Sequence, residues 1–314
     1  MTLSRKPKTM IWLAGLLLSL ALPAWSEEPP KVLSSIKPVQ LIAAAITEGV
    51  TPADVLLPPG ASPHSHSLKP SDARKLYEAD VVFWVGPDME TFLDKTLSGS
   101  TKAVSVPLMQ ESQLELLKMN EGNEEVHHHH AEESDHHHHH HHGEYDAHIW
   151  LNPNNAIAMA KTMSETLSKL DPEHKQQYQD NYKAFEKAVQ AADKRNNSKL
   201  VDYHNQPMFV FHDAYGYLQK HYQLNIVDHF TVSPEQQPGA KHLTQLQEKL
   251  NDAGNSCVFR EPQFQPAYID RIIEGTNAHV AVLDPLATDV AVGPDGYVEF
   301  MDSLTSSIVS CLEQ

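Results

Sequence analysis

The sequence predicts an α/β protein of two lobes, each with a four-stranded, mostly parallel sheet flanked by helices, joined by one long helix. Three observations predict it. Eight short β-branched and aromatic runs alternate with helical patterns, the arrangement of βα units and parallel sheets. The runs fall into two sets of four. Between the sets lies a strand-free stretch with apolar residues at steps of three and four.

Each element has its own signal. The first four strands are expected at 32–36, 54–57, 81–85 and 103–106, and the second four at 208–211, 225–230, 257–260 and 280–283. Helical stretches at 38–48, 71–78, 214–221, 240–253 and 265–277 separate them. In the middle, 154–170 carries Ala, Met and Leu at helical spacing, and Asp171-Pro172 caps it and starts a second segment from 173 to about 196. There Tyr178, Tyr182, Phe185 and Val189 fall on one face, so a helix of more than twenty residues would act as a stiff strut. The expected organisation is a leader at 1–26, a first lobe at 27–153, a linking helical region at 154–199 and a second lobe at 200–314.

The leader reads as a secretory signal peptide. Arg5, Lys6 and Lys8 precede an apolar core at 11–22, and Ala24-Trp25-Ser26 supplies a small-x-small cleavage site. That core is shorter than the roughly 20 residues needed to cross a bilayer, so cleavage and export to the periplasm are expected, with an uncleaved anchor as the alternative. No cysteine stands at the cleavage site to carry a lipid. Loss of the three leader cations takes the formal charge from -17 to -20, a surface that repels nucleic acid and anionic lipid and attracts cations. In an oxidising compartment Cys257 and Cys311, the two cysteines of the chain, are expected to form a structural disulfide; two buried free thiols are the alternative.

Histidine dominates the chemistry. Within 121–146 lie two runs, His127, His128, His129 and His130, then His136, His137, His138, His139, His140, His141 and His142, among eight acidic residues and no basic ones. The segment has no apolar periodicity and is expected to be a disordered loop, because it cannot bury enough surface to offset its ordering entropy. Three further histidines stand where a cleft would form. His64 follows a strand through a Pro- and Gly-rich turn, His148 sits where order should return after the loop, and His212 ends the apolar run "MFVF". Ligands of open parallel sheets bind beyond the carboxyl ends of the strands, so these three could meet between the lobes. Taken singly, each is more often a hydrogen-bonded surface or core residue.

The stretches "GASPHSHSLKPSDARKLYEADVVFWVGPDME", "HIWLNP", "FHDAYGYL" and "LDPLATD", in this order with the His-rich acidic insertion and the long helix, resemble the zinc-specific solute-binding proteins of bacterial ABC importers, the ZnuA type. The resemblance runs over essentially the whole chain after the leader. It implies two βα lobes on a rigid helix, Zn2+ in the cleft, delivery to a membrane permease and a monomer that binds no nucleic acid. Matched position by position, it implies His64, His148 and His212 as ligands, with Asp284 of "LDP" or a water as the fourth. Three imidazoles and an oxygen suit tetrahedral zinc, and a histidine at 212, where manganese relatives carry a carboxylate, favours zinc. His66 is expected to be a bystander. The His-rich loop is expected to hold zinc in weaker secondary sites, with a solvated spacer as the alternative, and His229 at another strand end could join such a site or simply be hydrogen-bonded.

Two rival functions stay open at this level. A zinc-buffering metallochaperone would need only the loop. A zinc hydrolase would use three histidines and a water, with Asp213 or Glu261 as base, but the chain has no His-Glu-x-x-His, no Gly-x-Ser-x-Gly and no phosphate-binding glycine loop. No enzyme activity is expected.

Overall fold

The computed structural model describes residues 28–99, 101–110, 113–119, 143–264 and 268–314. The signal peptide and the eleven loop histidines expected from sequence lie outside the described residues. The first sheet contains β1 (Val32–Ser34), β2 (Ala53–Val55), β3 (Val81–Trp84) and β4 (Val104–Pro107), all parallel in the order β2-β1-β3-β4. The second contains β5 (Pro207–His212), β6 (Asn225–Thr231), β7 (Ser256–Arg260) and β8 (Ala278–Val282), parallel in the order β6-β5-β7-β8. The same topology occurs twice. Interior strands β1 and β3 are buried on both faces, as continuous runs such as "VVFW" require, whereas the edge strands β6 and β8 alternate between covered and exposed positions.

The helices connecting the first sheet are α1 (Lys37–Thr47), α2 (Pro70–Glu78) and α3 (Thr91–Gly99). Then come α4 (Pro153–Leu170) and the 26-residue α5 (Lys175–Leu200), followed in the second half by α6 (Gly216–Tyr222), α7 (Ala240–Ala253), α8 (Tyr268–Ile273) and α9 (Gly296–Leu312). Pro153 occupies the first turn of α4 and the Asn152 side chain accepts the Asn154 N–H at 2.9 Å, which fixes where that helix begins. The sequence reading marked neither α3 nor α9. For α9 the signal was present: Tyr297, Phe300, Met301, Leu304, Ile308 and Cys311 are buried at steps of one, three and four.

The long joining helix is α5. Its buried face of Tyr178, Phe185, Val189, Ala192 and Leu200 packs on α4, α1 and α9, so it is embedded rather than spanning solvent. One apolar cluster runs from the first sheet through α1, α4, α5 and α9 to Val210, Cys257 and Phe259 of the second sheet. A smaller one, including Phe209, Phe230, Leu246 and Val258, fills the other face of that sheet. Burying each large apolar side chain contributes about 1.5–3 kcal/mol, so parting the lobes along the shared cluster would be costly. Cys257 and Cys311 are bonded, with Cα atoms 6.1 Å apart, and tie α9 to β7.

The loop boundary expected at 146 is corrected. Gly143 to Asp146 are ordered: Tyr145 bridges antiparallel to Lys118, Met119 N–H donates to the Glu144 carbonyl at 3.1 Å, and Asp146 N–H donates to the Leu117 carbonyl at 2.8 Å. Backbone pairing, which composition does not report, ends the loop at a short two-stranded base. Among the described residues no helix is long and apolar enough to cross a membrane.

Candidate metal centre

His212 is the last residue of β5. The parallel register that sets Val210 opposite Phe259 on β7 also brings the next positions of the same face, His212 and Glu261, side by side. His212 Nδ1 lies 2.5 Å from Glu261 Oε1, and the Tyr215 hydroxyl reaches the same oxygen at 3.3 Å. Both partners are buried, His212 to 4% and Glu261 to 2% exposure. Burial disfavours the charged imidazole, but the charge and hydrogen bond of Glu261, with the nearby carboxylates of Asp213 and Glu235, together outweigh it and hold His212 above the ordinary histidine range.

His148 is held by a different device with the same outcome. Asp146 Oδ1 accepts both the His148 N–H at 2.9 Å and the ring Nδ1 at 2.7 Å. Asp146 is buried, and its carbonyl accepts the Tyr217 hydroxyl at 2.8 Å. On the other side, Ile149, Trp150 and Leu151 form one fully buried 3-10 turn, and Trp150 Nε1 donates to the Pro285 carbonyl at 2.8 Å. The turn is anchored by apolar burial, so the ring before it points where the carboxylate aims it. His64 comes from the loop between β2 and α2; its N–H donates to Ser62 Oγ at 3.2 Å and its ring is half-buried.

The structure brings these three side chains together. Their ligand atoms lie within 4.8 Å of one another, and the ring centroids are 5.4 Å apart for His64 and His148, 5.8 Å for His64 and His212, and 5.3 Å for His148 and His212. The Nε2 atoms of His148 and His212 face each other at 3.4 Å. With each Nδ1–H donating to its carboxylate, both neutral rings present a lone pair to the same point, an arrangement that only a proton or a cation between them relieves. A tetrahedral ion with Zn–N bonds of about 2.0–2.1 Å separates its nitrogens by about 3.3–3.4 Å, which is the spacing of the His148 and His212 pair, with the His64 ligand atom within 4.8 Å of both.

Asp284 is not brought into this group. Its Oδ1 accepts from Gln263 Nε2 at 2.9 Å and Leu286 N–H at 3.0 Å, and its Oδ2 accepts the Thr288 N–H at 2.6 Å. These bonds stabilise a turn in which Ala287 has φ of 52°, the left-handed region that an L-residue enters at a cost. His229 stands apart as well, its Nδ1 4.0 Å from carboxylate oxygens of both Asp213 and Asp228, with His242 Nε2 on its carbonyl at 2.9 Å. His66 Nε2 pairs with Asp72 Oδ2 at 3.0 Å, an oxygen that also accepts the Lys69 N–H at the start of α2.

Sequence reasoning missed the two carboxylates behind the histidines. Asp146 falls inside the segment expected to be disordered, and the expectation for Glu261 is a hydrolase base, not a partner of His212. The Asp-x-His spacing at Asp146-Ala147-His148 and a glutamate directly beyond the strand beside His212 were the available signals. Backing carboxylates of this kind fix the tautomer and raise the basicity of metal-binding imidazoles.

Comparison with known proteins identifies the family. A family profile described as ZnuA, zinc-uptake complex component A, periplasmic, matches residues 32–311. The high-affinity zinc uptake system protein ZnuA of Yersinia pestis is 40% identical over 289 residues, covering 90% of this chain and 91% of the relative. The protein of the same name from Brucella suis is 38% identical over 306 residues, covering 90% and 92%. Among solved structures, the periplasmic zinc-binding protein TroA from Treponema pallidum superposes with a TM-score of 0.74 at 19% identity, covering 90% of this chain and 99% of that one. A zinc-bound deletion mutant of ZnuA also superposes at 0.74, with 23% identity and coverage of 90% and 97%. At such identities the structural likeness speaks for the fold, while the profile and the sequence relatives carry the family: this chain belongs to the ZnuA family of periplasmic zinc-uptake components.

Proposed function

We propose that the protein captures zinc in the periplasm with high affinity and hands it to the permease of an ABC importer. His64, His148 and His212 bind the ion and a water takes the fourth position, since Asp284 is committed to its own turn. The observation that carries this reading is the 3.4 Å approach of two Nε2 atoms whose opposite ring nitrogens are tied to carboxylates. Zinc is cargo here, not a resident cofactor. The hydrolase alternative loses one of its two candidate bases, because Glu261 is buried against His212. The histidine runs at 127–130 and 136–142 are read as an accessory zinc store beside the cleft, with His229 as a further weak site, and the lobes as 27–153 and 200–314 on the linker 154–199.

Calorimetry tests the reading on the full chain and on a variant lacking 121–143. One tight event in both, with the weaker events lost from the deletion, is the expected result. Loss of the tight event with the loop, or unchanged affinity after replacing any of His64, His148 and His212 by Ala, would remove the cleft from consideration. Zinc uptake by cells expressing the protein should depend on a membrane permease, and uptake independent of one would favour a buffering role.

A further inference from the structure

We propose that Ser62 and Glu235 form a latch across the mouth of the cleft that holds the His64 loop closed and sets the rate at which zinc leaves. The proposal rests on the three-histidine reading above. Ser62 Oγ donates to Glu235 Oε1 at 2.5 Å and accepts the His64 N–H at 3.2 Å, so one hydroxyl joins a carboxylate of the second lobe to the backbone of a first-lobe histidine. Residues 62 and 235 are 173 positions apart, and neither lies on a strand or helix.

The far side of the latch is built into the second sheet. Glu235 Oε2 accepts from Ser233 Oγ at 2.9 Å, within a turn closed by the Gln236 N–H on the Ser233 carbonyl at 3.0 Å. The Thr231 hydroxyl sits between the Ser233 and Gln236 carbonyls at 2.7 and 3.0 Å, and Thr231 is the register partner of His212. A path of hydrogen bonds and short chain links therefore runs from β6, the strand beside that of His212, to the backbone of His64 without touching a ligating nitrogen.

The three histidines are thus supported unequally. Asp146 and Glu261 are buried, where a lost hydrogen bond leaves an uncompensated group. Glu235 is exposed, where water can replace the same contact, so the latch can open without either buried carboxylate moving. Glu235 and Ser62 are positioning residues: they act on zinc through the His64 backbone.

The test uses the full chain loaded with one equivalent of zinc and mixed rapidly with excess chromophoric chelator. Ser62→Ala and Glu235→Gln should each release zinc about five- to tenfold faster. The double variant should match Ser62→Ala rather than the product of the singles, because both substitutions act on one interaction. Ser62→Thr, which keeps the hydroxyl, should restore the native rate. The visible spectrum of the Co2+-loaded proteins should stay unchanged in all of them, since the latch does not touch the metal. Native release rates in both single variants, multiplicative rates in the double, or an altered Co2+ spectrum in Glu235→Gln would each overturn the latch. His64→Ala is measured alongside: an unaltered Co2+ spectrum there refutes the three-histidine reading itself, whereas an altered one together with native latch-variant rates refutes the latch alone.

Discussion

Replacing Glu261 by Gln should separate its two effects on His212. The carboxylate lies 2.5 Å from Nδ1 with both groups almost fully buried, so it favours any positive species on the ring, proton and zinc alike. Gln keeps the shape and a carbonyl acceptor but removes the charge. Loss of such a backing carboxylate weakens metal binding by about 10- to 100-fold, roughly 1.4–2.7 kcal/mol. The same loss lowers the His212 pKa, which Glu261 holds above the ordinary value against the opposing effect of burial. Below the native pKa the native ring must shed a proton that the variant has already lost, so part of the native advantage cancels. The affinity ratio of native to Glu261→Gln protein should therefore be largest near pH 8 and should shrink as the pH falls towards 5.5. Chelator competition across that range, with the 121–143 deletion as background to keep the loop histidines out of the titration, reads it directly. A ratio that is constant, or that widens on acidification, would mean Glu261 does not act through the basicity of His212.

Three further outcomes are expected. Glu90 is fully buried with Oε2 on the Gly86 N–H at 3.0 Å, and burial, only partly offset by the nearby Ser35 hydroxyl and by the Gly86 and Val85 amides, raises its carboxyl to about 7 from 4.5. The folded state keeps a proton that the unfolded chain has lost over that window, so stability present at low pH is lost as the pH rises, by roughly 3 kcal/mol in all; Glu90→Gln should gain stability over the native protein at pH 8 and not at pH 4, measured by urea unfolding of the apo proteins. A Cβ on Gly216 would lie 3.0 Å from Asp146 Oδ2, so Gly216→Ala should displace the carboxylate behind His148 and weaken zinc binding by up to about tenfold with the melting temperature little changed. The Cys257–Cys311 bond closes a separation of 54 residues, for which chain entropy gives about 4 kcal/mol before strain; the double Ser variant should unfold at correspondingly lower urea, and an unchanged midpoint would deny the bond that role.

The sequence by itself determined the two sheets, because strands buried on both faces must be written as unbroken apolar runs such as 81–84 and 208–211. It also pointed to His64, His148 and His212, through the resemblance carried by their surrounding motifs and not through any one position, and it paired Cys257 with Cys311 because no other thiol competes. Other relationships were decided only by tertiary structure. Glu261 meets His212 through a strand register between segments 49 residues apart, and Asp146 is ordered by backbone bonds to Leu117 that composition cannot report. Asp284 carries a motif that points to the metal, yet its oxygens answer the amides of Leu286 and Thr288, because a left-handed Ala287 must be held by something nearby. Ser62 and Glu235 have no signal of any kind in the chain, for a contact between loops of opposite lobes depends on how the shared apolar core seats one lobe on the other. Periodicity records which face of an element is buried; which side chains then meet across a cleft is fixed only when the elements are packed.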